Sequence, residues 1–102
     1  MIKHVVMWKL KEVAEGKTKH ENAKIMKELL EGLPAKINEL DAAEVGINIF
    51  EGEDVAISDI VLTTECKDEE ALKAYAVHPE HKKVVQFIVK VAAERRVVDY
   101  KN

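Results

Sequence analysis

Residues 2–10 alternate at period two, and both of the faces they make are apolar. Ile2, His4, Val6, Trp8 and Leu10 fall on one side, and Lys3, Val5, Met7 and Lys9 on the other. Alternation of this length predicts a strand. A strand with one wet face would carry polar residues along it, and here Val5 and Met7 stand on the second face. The pattern recurs twice. A strand predicted over 56–65 sets Ile60 and Leu62 opposite Ile57 and Val61, and one predicted over 94–101 has Val97 beside Val98. A sheet built this way has two sides to cover. Helices cover one, and the other side predicts a homodimer joined through sheet faces. Against this, Lys3, Lys9, Asp59 and Thr63 are the residues that would keep the second side wet.

Between these strands the period changes. Gly16 and Thr18 mark a turn and a helix cap, after which Ala23, Met26, Leu29, Leu30 and Leu33 recur at helical spacing until Gly32-Leu33-Pro34. Residues 35–40 read as a loop or short helical turn, and 44–50 as a further strand. Asp68 caps another helix, with Glu69 and Glu70 in its first turn, where anions suit the helix dipole. Pro79 breaks that helix, because it disfavours helical geometry at His78. A new helix starts at Pro79 itself and carries Val84, Phe87, Ile88 and Val91 on one face. The order β-α-β-β-α-β is that of an α+β, ferredoxin-like sheet with its helices on one face, forming one domain over 1–102.

The totals narrow the partners. The chain has 102 residues and a net charge of −3, with its basic residues scattered among acids, so no nucleic-acid partner is expected. No apolar run approaches membrane-spanning length, so no membrane partner is expected either. Cys66 is the single cysteine and has no internal partner, which fits a reducing compartment. With no signal-like segment before the first strand, the expected location is the cytoplasm.

The segment Tyr75-Ala76-Val77-His78-Pro79-Glu80-His81 holds two of the four histidines and one of the two tyrosines. His78 falls at the cap and His81 in the first turn. The positive end of a helix dipole biases both rings toward the neutral form, which accepts a proton. His81 continues the stripe of Val84, Val85 and Ile88 and points toward the sheet. If the Val6 and Trp8 face of the first strand looks at the helices, His4, Tyr75 and His81 converge. A neutral histidine beside a phenol is a reasonable base and donor for enolising a carbonyl compound. In the alternative, His81 and Tyr75 bond backbone groups and hold the helix break in place.

In Ile2-Lys3-His4-Val5-Val6, Val45-Gly46-Ile47-Asn48, Asp59-Ile60-Val61-Leu62 and Val97-Val98-Asp99-Tyr100, and above all in 72–81 with its Tyr…His-Pro-x-His element, the chain resembles the stress-responsive dimeric α/β-barrel (Dabb) family. The resemblance implies a ferredoxin-like protomer whose two sheets pair into an eight-stranded barrel. It implies no single activity. One plant member, olivetolic acid cyclase, performs a cofactor-free aldol closure. Similarity to it implies His81 as base, Tyr75 as its assistant and His4 as a pocket residue. Its first helix presents aromatic residues where this chain has Asn22-Ala23-Lys24-Ile25-Met26, a departure that disfavours an aromatic polyketide substrate.

The candidate catalytic residues are therefore His81, Tyr75 and His4, and Val6, Trp8, Met26, Leu30 and His78 are the expected ligand-pocket residues, with His78 doubling as a cap. A metal would need His78, Glu80 or His81 with help from His4, Asp59 or Glu65, and none of these has diagnostic spacing; no metal or other cofactor is expected. Three functions fit: a stress-response protein that binds a small apolar or carbonyl ligand; a cofactor-free cyclase, lyase or isomerase; and a cofactor-free monooxygenase.

Overall fold

The computed structural model describes residues 1–102. Its main sheet has four antiparallel strands. β1 (Ile2–Leu10) is central, pairing with β5 (Ile60–Cys66) and β6 (Ala92–Lys101); β4 (Leu40–Ile47) lies outside β5. The helices α1 (Lys19–Glu31), α2 (Glu69–Val77) and α3 (Pro79–Val91) cover one face. This is the ferredoxin-like arrangement expected from the order of elements.

The strand periodicity sorts the core. Ile2, Val6, Trp8 and Leu10 of β1 and Ile60, Leu62, Thr64 and Cys66 of β5 are buried beneath the helices, joined by Ala23, Met26 and Leu30 of α1 and Val84, Ile88 and Val91 of α3. On the opposite, helix-free face Met7 is 43% exposed, Val98 55% and Tyr100 45%, with Val5 and Val61 half-buried among them. Lys3 pairs with Glu65 at the border of this patch.

Local signals place the helices. Thr18 caps α1 in a capping box with Glu21. Asp68 accepts a hydrogen bond from the Ala71 N–H at 2.9 Å at the start of α2. His78 is extended (φ −64°, ψ 136°), as the residue before proline should be, and its Nδ1 accepts from the Glu80 N–H at 3.1 Å. A small ribbon not foreseen from the sequence, β2 (Val13–Ala14) and β3 (Lys17–Thr18), precedes α1. Its two central residues, Glu15 (φ 52°) and Gly16 (φ 73°), are both left-handed, which is the geometry of a type I′ hairpin turn.

Several boundaries differ from expectation. The strand predicted over 44–50 runs instead over Leu40–Ile47. It stops early because Asn48 turns the chain: its Oδ1 accepts from the Phe50 N–H and its Nδ2 donates to the Ser58 carbonyl. Ile49 and Phe50 are left outside the sheet, 87% and 71% exposed. β5 begins at Ile60 rather than at 56, and Leu29 lies on the exposed side of α1. Asp59 does not wet the helix-free face. It is buried, and its carboxylate accepts from the Leu10 N–H at 2.7 Å, where the β1–β6 register shifts, with Lys19 Nζ 3.6 Å away.

Candidate functional site

The Pro79 break sets the last turn of α2 against the first turn of α3, and both turns face β1. Tyr75 (1% exposed) and His81 thereby meet, their ring centroids 4.5 Å apart. His4 approaches Tyr75 edge-on at 6.0 Å. The three aromatic side chains border one cavity of about 510 Å³, within the range of small-ligand sites. Val6, Trp8, Leu30, Leu62 and Ile88 supply most of its apolar wall. It opens beside β6, whose helix-side residues the helical layer leaves uncovered. A second hollow of about 480 Å³ lies on the helix-free side, around Met7, Gly46 and Val61, and no titratable side chain lines it.

His81 Nδ1 lies 3.1 Å from the Ala76 carbonyl oxygen. A carbonyl only accepts, so Nδ1 carries the proton and Nε2 keeps a free lone pair in the neutral ring. Burial pushes the His81 pKa down; the Ala76 carbonyl opposes this, and repulsion from His4, Arg95 and His78 adds to it. Tyr75 is pushed up to about 12, chiefly by burial, with the Cys66 thiol adding to the rise and Arg95 opposing it. The Tyr75 hydroxyl is buried and has no hydrogen-bond partner; the same holds for Trp8 Nε1. Of the two side chains that could hold the helix break through the backbone, His81 does so through the Ala76 carbonyl, and Tyr75 makes no such bond. His4 Nδ1 is paired with the Asp99 carboxylate across the β1–β6 ladder.

Two expected pocket residues lie elsewhere. Met26 is fully buried in the core under α1 and does not reach the cavity. His78 has its ring turned to the Glu80 N–H, so its role here is the cap. Arg95, Lys82 and Gln86 do line the cavity and were not singled out from the sequence. Arg95 stands opposite Trp8 in the β1–β6 register, and only the pairing of those strands brings it to the helix side. The side chains weighed as metal ligands do not assemble: no three His, Cys, Asp or Glu groups form a ligand set. Cys66 is buried, and burial raises its thiol pKa. No helix is long and apolar enough to cross a membrane.

The stress-responsive A/B barrel domain (Dabb) family matches residues 2–102. The chain belongs to this family. Among solved structures, a dimeric ferredoxin-like protein of unknown function from Bacteroides fragilis is 33% identical, with 99% of this chain and 95% of that chain covered and a TM-score of 0.82. An Arabidopsis thaliana protein is 19% identical, with 100% and 95% covered and the same TM-score of 0.82. A hydroxynitrile lyase from Passiflora edulis is 9% identical, with 97% and 90% covered and a TM-score of 0.79. No curated protein matches the chain.

Proposed function

We propose that this Dabb protein binds a small carbonyl compound in the cavity between α2, α3 and β1, and that His81 acts there as a general base. The observation that carries the reading is that His81, with a free Nε2 lone pair, and Tyr75, with an unpartnered hydroxyl, are neighbours that line the same cavity. Nε2 takes a proton from the carbon next to the carbonyl. The C–H electron pair becomes the C=C bond of an enolate, and the carbonyl π pair moves onto oxygen, where the Tyr75 O–H donates a hydrogen bond. The resulting imidazolium returns its proton to carbon or to the leaving oxygen of an aldol. His4, held by Asp99, fixes the far edge of the Tyr75 ring. The chemistry falls in the cyclase, lyase or isomerase class and uses no cofactor. The fold alone links this chain to the Passiflora edulis lyase, so that enzyme's substrate does not transfer.

The protein works as a homodimer joined through the helix-free sheet faces. Supporting this are the exposed Met7, Val98 and Tyr100 on that face and the dimeric state of the Bacteroides fragilis relative. A cytoplasmic location fits the unpaired Cys66.

The test is deuterium uptake from D₂O into the carbon next to the carbonyl of phenylacetone, followed by NMR. Uptake above the buffer rate, lost in His81→Gln, is expected. Equal rates in the two proteins overturn the base. Ligand binding without exchange returns the protein to a purely binding role in a stress response, and oxygen uptake on an electron-rich substrate points to a monooxygenase.

A further inference from the structure

We propose that the cavity takes a ligand bearing a carboxylate, which Arg95 binds at the β6 side while the ligand's carbonyl end lies at His81 and Tyr75. The proposal deepens the reading above and rests on its small-molecule cavity, but not on catalysis by His81.

Arg95 lines the cavity, and its guanidinium has no ion pair or hydrogen bond within the protein. The neighbouring Arg96 is the one that pairs with Glu94. Lys82 lines the same cavity from α3 and likewise pairs with no carboxylate. No Asp or Glu lines the cavity, and Asp99, across the β1–β6 ladder from His4, is engaged by that histidine. The chain carries 19 acidic against 16 basic residues, so this cavity is opposite in sign to the protein around it. A planar guanidinium offers two parallel N–H donors to a carboxylate, a pairing stronger and more directional than a bond between neutral groups. Arg95 itself is exposed where the cavity opens beside β6, and Val6, Trp8 and Leu62 form part of the cavity's apolar wall.

The same guanidinium acts on the reacting groups. Its charge opposes protonation of His81 and eases ionisation of Tyr75. A carboxylate docked on Arg95 cancels part of that field and makes His81 a stronger base while the ligand is present. His4 and His78 also oppose protonation of His81, and that repulsion remains.

Trp8 is the single tryptophan and lines the cavity, so its fluorescence reads occupancy in the full-length protein. The probes are phenylacetate and its neutral isostere phenylacetamide. Wild type should bind phenylacetate about tenfold more tightly, an advantage that shrinks at high salt. Arg95→Gln should bring the two probes to within about twofold, chiefly by weakening phenylacetate, and Arg95→Lys should keep part of the preference. His81→Gln should leave the preference intact. A preference kept in His81→Gln when wild type shows no ketone exchange would therefore sink the base and spare the anion site. Equal binding of the two probes by wild type, binding of neither, or a full preference surviving in Arg95→Gln overturns the assignment.

Discussion

Tyr75→Phe separates a structural tyrosine from a functional one. The ring is 1% exposed and the variant keeps all of it, so packing is preserved. Only the hydroxyl goes, and that hydroxyl is buried without a hydrogen-bond partner. An unsatisfied buried hydroxyl costs about 1–3 kcal/mol. Removing it should stabilise the protein by about 1 kcal/mol, which for a domain of this size raises Tm by roughly 4–8 °C. The comparison needs matched protein concentrations, because the Tm of the proposed dimer would depend on them. The pH dependence gives a second handle. The folded pKa of Tyr75, about 12, lies above the ordinary tyrosine value of 10.0. Its neutral form is therefore favoured in the fold: the stability this contributes is complete below pH 10 and is lost as pH rises from there toward 12. Tyr75→Phe should lack that alkaline loss. In the same variant, deuterium uptake into the ketone should fall. A Tyr75→Phe protein destabilised by about 1 kcal/mol or more would show that the fold satisfies the hydroxyl, and the reasoning would fail.

Other substitutions probe separate parts of the account. Asp59→Ala strips the acceptor from the buried Leu10 N–H and should cost about 2 kcal/mol in urea unfolding; a neutral result would mean water replaces it. The folded pKa of His81 lies below its ordinary value of 6.5, so its contribution to stability is full above that pH and declines as pH falls through and below it. The urea midpoint of wild type should drop between neutral pH and about pH 5.5 by more than that of His81→Gln. Met7→Asp puts a charge on the helix-free patch and should give a single-copy species in sedimentation while the fold survives by circular dichroism. A dimer unaffected by it would place the interface elsewhere.

The strand faces, the helix break and the convergence of His4, Tyr75 and His81 were legible because each follows from short-range rules. Alternation assigns His4 to the side of Val6 and Trp8, and proline fixes the bend that brings Tyr75 to His81. Residues whose position depends on strand pairing were not legible. Arg95 sits in an exposed, charged stretch, and only the Trp8–Arg95 register brings it to the cavity. Asp59 looked like a solvated strand residue, since nothing local shows that Leu10 lacks a ladder partner at the register shift. Ile49 and Phe50 fit the strand pattern, yet the Asn48 side chain turns the chain before them. Met26 has the right helical phase to face the sheet, but it meets the core instead of the cavity, a matter of depth that periodicity does not encode. The failures thus gather where a backbone or side-chain group finds its partner far along the chain.

His81 can act as the base only if its Nε2 is the free nitrogen. Long-range ¹H–¹⁵N correlation of the histidine rings near neutral pH reads this directly, with His81→Gln providing the assignment. A neutral ring protonated at Nδ1, whose Nε2 signal moves when phenylacetate is added, is the predicted result. A ring protonated at Nε2, or an imidazolium at that pH, would leave no base in the cavity and would contradict the proposal.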